Sequence, residues 1–461
     1  MEGGTFMRSV CLIIAILLEL AATAVAEEVS VTIYNQNFAL IKEHRILEIG
    51  KGIDTVYIKG VAATIDPTSV FLELNKTVPG LVFGQQSFKY DLLSNETLLG
   101  KLVGLPIQVA TGTGEALSGV LLAYTASNPE GIVLRTGNNE LKSIRYPSLV
   151  SITSQMSDSS LVTEPTLSWV VSSQTAQKSD VEISYLVQEV GWLAQYIALL
   201  DQDGKAITLS GWASVANRSG KSYDNARIKL VAGDLYYGGE PPLKSVTVYA
   251  MRASSRPDLD IMERRPLFEY HLLALKEPIT LEQNENKQLS LMLPTTVPVA
   301  KSYHYDIEQR NTSVDVQVSF ANSKVNSLGF PLPEGKIRVY QRDTDGSREF
   351  LGEDNMSHTP TDEDVQIRIG SAFDILGETE IVATTGSKSS DEHEESYKCI
   401  IRNHKNEPVI VIATYGPDYY FQVPEIVESS SPFTKHGAKH DFTVDVPANG
   451  TAELTFRVRT R

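Results

Sequence analysis

The chain has 461 residues, with 57 Asp or Glu against 41 Lys or Arg and a net charge of −16. That length exceeds what one hydrophobic core serves and points to two or three domains. The acidic balance argues against nucleic acid and anionic lipid as general partners, because both demand a basic surface.

Residues 1–26 read as a secretory signal. Arg8 precedes the apolar run Ser9–Leu18, and Ala24-Val25-Ala26 forms a small-x-small cleavage site followed by Glu27. Glu19 interrupts the apolar run, so a cleaved signal fits better than a membrane anchor. Cleavage between Ala26 and Glu27 predicts a periplasmic or secreted protein. No later stretch is apolar enough to span a bilayer, so no transmembrane segment is expected after cleavage. Cys11 leaves with the signal. Cys399 then stands alone, excluding an intrachain disulfide. It shares a strand face with Tyr397 and Ile401 and reads as a buried, inert thiol.

Period-2 alternation runs through the chain and predicts half-buried antiparallel strands. Val181, Ile183, Tyr185 and Val187 form one apolar face, and Trp192, Ala194, Tyr196 and Ala198 another. Downstream, Val314, Val316, Val318 and Phe320 repeat the pattern, as do Val365, Ile367 and Ile369. Phe442, Val444 and Val446, then Leu454, Phe456 and Val458, continue it. Asp201-Gln202-Asp203-Gly204 and Asp343-Thr344-Asp345-Gly346 end in Asp-Gly and predict tight hairpins. Asn217–Lys221 reads as a further hairpin turn.

The one helical pattern is Asn95–Val103. Leu98, Leu99 and Leu102 share a face, and Gly104 and Pro106 stop it. Five short strand-like runs follow: Ile107–Ala110, Leu117–Thr125, Gly131–Arg135, Leu141–Arg145 and Leu149–Thr153. A short helix before five close strands predicts a small Sm/SH3-like barrel. Its Lys101, Arg135, Lys142 and Arg145 are balanced by Glu96, Glu115, Glu130 and Glu140, so a structural or protein-contact role fits better than RNA binding.

The expected fold class is mainly β: antiparallel sandwich domains with that inserted barrel. The expected units are 27–94, strand-rich and joining the main β structure; 95–155, the barrel; 156–266, a sandwich-like domain; and 267–461, a C-terminal sandwich. The charged stretch within Val248–Pro266 reads as an exposed excursion.

Several segments carry a resemblance. Val31–Leu40, Asp66–Val70, Trp192–Tyr196, Asn225-Ala226, Ala232-Gly233-Asp234, Phe268–Leu272, Lys287-Gln288, Gly352-Glu353-Asp354 and His358-Thr359-Pro360 occur in this order. Together they resemble a secreted bacterial family known only as domain of unknown function 4139. Its relatives include mucoidy-inhibitor-like proteins, which carry a coiled coil before this domain. This chain has the barrel-like insert instead. The resemblance implies a β fold and an extracytoplasmic setting, and it brings no established catalytic residue.

No nucleophile elbow, zincin helix or paired-cysteine motif appears. Gly220-Lys221-Ser222 resembles the end of a phosphate loop, but position 215 is Val215 where the loop needs glycine. Gly112-Thr113-Gly114 lacks the third glycine of a dinucleotide turn. Glu353, Asp354, His358 and Asp362, with Glu363 and Asp364, fall in one predicted loop and are the candidate ligands for a divalent metal. The plainer reading is a solvated acidic loop in which His358 or Thr359 makes turn hydrogen bonds. Asp391–Glu395 reads as a mobile acidic loop, and His436 and His440 as loop residues around Gly437. Trp169, Trp192 and Trp212 read as core. Tyr236-Tyr237 and Tyr419-Tyr420 are the surface aromatics that could meet a glycan or peptide.

The sequence therefore predicts a non-enzymatic binding or scaffold protein of the cell envelope, with an envelope protein or glycan as partner and neither a catalytic residue nor a cofactor expected. The alternative is a metal-dependent hydrolase built on the acidic loop around His358.

Overall fold

The computed structural model describes residues 28–90, 95–125, 131–155, 163–233, 235–236, 262–386, 393–416 and 424–460. The expected signal and its expected Ala26/Glu27 junction lie outside them. The protein is mainly β, built from several largely antiparallel sheets in which, among the described residues, three strand pairs, including Val190–Leu200 with Gly335–Arg342, run parallel. Among the described residues, no helix is long and apolar enough to cross a membrane.

Alternation works as expected from elementary strand geometry, since successive side chains point to opposite faces. Val181, Ile183, Tyr185 and Val187 are buried, as are Trp192, Ala194, Tyr196 and Ala198. The two faces pack into one core. The strand Gln177–Gln188 lies in an eight-stranded sheet beside Phe38–Ile49, and Val190–Leu200 lies in a five-stranded sheet between Ala206–Asn217 and Gly335–Arg342. Trp192 Nε1 donates to the Val231 carbonyl at 3.1 Å, tying the second sheet to the first. A three-stranded sheet, Gly52–Lys59, Thr166–Ser173 and Val82–Lys89, adds Val56, Leu167 and Trp169 to the same core. Burying each such aliphatic side chain is worth about 1.5–3 kcal/mol.

This first core runs in sequence from Val29 to Ile367. A second belongs to the nine-stranded sheet that includes Ser313–Ala321, His393–Asn403, Val409–Tyr415, Lys439–Val446 and Gly450–Thr460. The 22-residue strand Asp364–Thr385 joins them. Its Val365 and Ile367 enter the first core, and Ile375 enters the second.

The third core is the small unit. The helix Asn95–Leu102 ends before Gly104, which takes φ +86°. Leu99 and Leu102 pack on Ile107, Val109, Leu121, Ile132 and Leu134. The five strands follow where the sequence placed them, in the order 149–153, 106–111, 116–125, 131–136, 141–145. The unit is nevertheless an open sheet and not a closed barrel: among the described residues no ladder joins Leu141–Arg145 to Leu149–Thr153. The three-residue turn Tyr146–Ser148 that links them leaves both as edges.

Other expectations are corrected. Asn217–Lys221 is no hairpin turn, because the strands either side of it enter different sheets. His436 and His440 sit on a hairpin, Phe433–His436 with Lys439–Val446, whose turn Gly437-Ala438 uses Gly437 at φ +63°. Glu353 and Asp354 lie within the strand Arg348–Met356 and not in a loop, since pairing with Gly335–Arg342 continues to Met356.

Three buried asparagines pin connections at strand ends. Asn217 Nδ2 donates to the carbonyls of Lys221, Leu281 and Glu282 at 2.8–3.2 Å. Asn322 Nδ2 reaches Phe330, Thr359 and Pro360 at 2.9–3.3 Å. Asn403 Nδ2 reaches Glu407 and Pro447 at 2.8 and 3.0 Å. One side-chain amide thus ties together backbone segments that are separate in sequence.

Candidate functional site

The structure separates the four nominated metal ligands. Glu353 and Asp354 are neighbours on one strand, so their side chains leave on opposite faces. Glu353 lies 2.7 Å from Lys336 Nζ and 3.3 Å from Arg338 Nε. The Lys336 hydrogen bond, first among the causes, holds its carboxyl below the usual range. Asp354 accepts from the Asn355 and Arg368 amides at 2.8 and 2.7 Å. His358 Nδ1 accepts the Glu334 amide at 3.0 Å. That bond requires a lone pair on Nδ1, so the neutral ring carries its proton on Nε2, the nitrogen a metal would otherwise take. Nε2 faces Glu334 Oε2 at 4.0 Å. Asp362 adopts φ +68°, and its amide donates to the Asn322 carbonyl at 2.8 Å. Among the described residues, no three His, Cys, Asp or Glu side chains form a group that could hold a metal ion.

The structure instead assembles an ionic cluster that sequence reasoning missed. Alternation along Phe38–Ile49 turns Glu43 inward beside Ile41, leaving it 1% exposed. Lys221 arrives from the connection after Asn217 and places Nζ 2.6 Å from Glu43 Oε1. Tyr185 donates its hydroxyl to the same oxygen at 2.7 Å. Arg45 pairs with Oε2. Burial alone would raise the Glu43 pKa, but the Lys221 and Arg45 charges and the hydrogen bonds from Lys221 and Tyr185 override it and hold the carboxyl below its ordinary value. Burial, then the Glu43 charge, pushes the Tyr185 phenol well up. Glu43 therefore stays ionised and Tyr185 protonated near neutral pH. With both carboxylate oxygens engaged, the cluster is a clamp and not a poised acid or base.

A second chain of polar groups lies along His393–Asn403. His393 Nε2 stands 3.1 Å from Glu395 Oε1, and Tyr397 donates to Glu395 Oε2 at 2.5 Å. The Tyr397 ring packs with Tyr415 and Phe456 at 5.0 Å between centroids. Desolvation of Tyr397, with its bond to Glu395, raises its pKa and keeps the phenol protonated. The acidic run was expected to be a loop. Its residues 391–392 lie outside the described set, and His393 onward is strand, with Tyr397, Cys399 and Ile401 alternating into the C-terminal core.

Trp169 and Trp192 are core, and Trp212 is half-buried. Tyr236 is 95% exposed. Tyr237, Tyr419 and Tyr420 lie outside the described residues, as does most of Val248–Pro266. Cys399 is fully buried, and burial pushes its thiol up to about 11.

A family model described as "Domain of unknown function (DUF4139)" matches residues 181–419. The match includes Tyr185, Lys221, His358 and the His393–Tyr397 chain. It leaves out Glu43, Arg45 and the small unit. No curated protein matches the chain.

Proposed function

The chain belongs to the domain of unknown function 4139 family, and on that footing we propose that it is an exported, non-enzymatic scaffold or binding protein of the cell envelope. The observation that carries this reading is that the structure disperses the nominated ligands and leaves the carboxylates of Glu43, Glu353 and Asp354 engaged. Glu43, Glu353 and Asp354 each spend their carboxylates on partners within the chain. The Glu334 amide occupies the His358 nitrogen that would have to be free for the proton to move. General acid–base chemistry needs a group free to exchange a proton with substrate, and the Glu43 carboxylate is instead taken up by Lys221, Arg45 and Tyr185. Export is read from residues 1–26 and from the resemblance, and the partner is an envelope protein or glycan.

The test begins with elemental analysis of the mature chain purified without chelators, followed by a hydrolase substrate panel. No stoichiometric metal and no turnover are expected. About one metal per chain, lost in a His358→Ala variant, would return the acidic loop to the centre and overturn the scaffold reading.

A further inference from the structure

An exposed strand edge presents unpaired backbone donors and acceptors, and proteins usually guard such edges with proline, bulges, brevity or cover. Most outer strands here are guarded. Glu285–Pro298 contains Pro294 and two register shifts, and Arg264 donates to its Leu291 carbonyl. Met262–Leu267 contains Pro266. Val82–Lys89 carries a register shift, and its Gln86 side chain donates to the Pro67 carbonyl at 3.0 Å. Phe71–Leu74 and Phe433–His436 are four residues long. Arg348–Met356 is covered by Asp364–Thr385, whose Arg368 amide donates to Asp354.

The strand Gly52–Lys59 is different. It has eight residues and no proline, and it pairs without a shift to Thr166–Ser173. Among the described residues it has no other ladder partner. Ile53 is 83% exposed and Tyr57 53%. The Thr55 amide is taken by Asp54 Oδ1 at 2.8 Å, which marks the odd-numbered residues as those turning backbone groups outward.

We propose that Gly52–Lys59 pairs antiparallel with the same strand of a second copy of this chain, making a continuous six-stranded sheet. The strand's own register favours this occupant. With Val56 on the two-fold axis, Thr55 lies opposite the second copy's Tyr57, twice over, and β-branched residues opposite aromatics are favourable cross-strand pairs. Ile53 then lies opposite Lys59 and Asp54 opposite Ile58, so no like charges meet. The arrangement is isologous and closes at two chains. Its local cost is the Asp54–Thr55 bond, which must open for the ladder. A single strand edge buries less than the roughly 1,200 Å² of a stable interface, so the dimer is weak and concentration-dependent. The inference needs only the folded chain and stands apart from the envelope role.

The experiment is sedimentation of the mature chain across a concentration series, with amide hydrogen exchange read at each end of it. The average mass should rise with concentration, and the Ile53 and Tyr57 amides should exchange about tenfold more slowly at the top. An Ile53→Lys/Tyr57→Lys variant should stay monomeric at an unchanged melting temperature. If that variant loses stability, Ile53→Lys alone carries the test. A chain monomeric throughout, a dimer that survives the substitutions, or slowed amides elsewhere would each overturn the proposal. Slowing at Ile53 and Tyr57 only when an envelope extract is added to a monomeric chain would also overturn it, in favour of a foreign strand.

Discussion

Lys221 and Glu43 form an ion pair of 2.6 Å across 178 residues of sequence. The contact joins the connection between two sheets to a strand outside the matched family region. Lys221 cannot reach Glu43 unless the turn after Asn217 is in place, and Asn217 Nδ2 fixes that turn by donating to the Lys221 carbonyl. The clamp therefore couples the N-terminal strands to the remainder of the first core.

Removing one member of a buried pair leaves a charge without its partner and costs about 3–5 kcal/mol. Lys221→Met leaves Glu43 with Arg45 and Tyr185, so it should lower stability by less than that in denaturant melts, and Glu43→Leu, which removes the carboxylate shared by two cations, should also destabilise. The pH dependence has a definite sign. The folded Glu43 pKa is depressed, so its contribution is fully present above the unfolded value, about 4.3, and is lost as pH falls through the folded value. Melting temperature followed from pH 7 downward should fall more steeply below about pH 4.3 in wild type than in Glu43→Gln. Parallel curves would remove Glu43 from the acid transition.

Asn322 is fully buried and serves three carbonyls. Asn322→Ala takes the donor from the Phe330 and Pro360 carbonyls, while the Thr359 carbonyl keeps the Leu332 amide, at about 1–3 kcal/mol per unsatisfied group before relaxation. A loss of about 3 kcal/mol overall is expected in chemical denaturation. Asn217 is equally buried, so the sequon Asn217-Arg218-Ser219 should stay unmodified when the folded chain meets a glycosylating enzyme, a point that intact mass spectrometry settles.

The strands were legible because a two-residue period is local: Trp192 through Ala198 and Phe442 through Val446 needed no knowledge of their neighbours. The small unit was legible for the same reason, as its helix and five strands are contiguous. What pairs with what was not. Glu353 and Asp354 looked like loop ligands because the ladder that makes them strand lies on Gly335–Arg342. Glu43 looked like any surface glutamate because its partners come from positions 185 and 221. Charge clusters read from adjacency were dispersed by alternation, while the cluster that exists was assembled by topology.

Val318 and Val316 give a sharp contrast on one strand. Val318 is 1% exposed and belongs to the first core, whereas Val316 is only partly buried and packs on the second. Val318→Asp places an unpaired carboxylate where nothing compensates it and should cost several kcal/mol, enough to abolish folding. Val316→Asp should cost visibly less, because its carboxylate can reach water. Equal melting temperatures for the two variants would mean that the inner face of Ser313–Ala321 has been misassigned.

Cys399 supplies a reporter for the second core. Its sulfur is buried between Tyr397 and Ile401, and Thr379 Oγ1 lies 3.3 Å away. Only the thiolate is nucleophilic, and burial raises the thiol to about 11, the Thr379 bond offsetting part of that rise. In native protein at pH 8 a water-soluble disulfide reagent should therefore titrate almost no thiol from residues 27–461, and one equivalent should appear on denaturation. Labelling followed through a urea series then tracks opening of the C-terminal sheet alone. If Lys221→Met advances the melting of the first core but leaves the Cys399 labelling midpoint unchanged, the two cores unfold separately despite sharing Asp364–Thr385. A matching shift in both would make that strand the element that couples them.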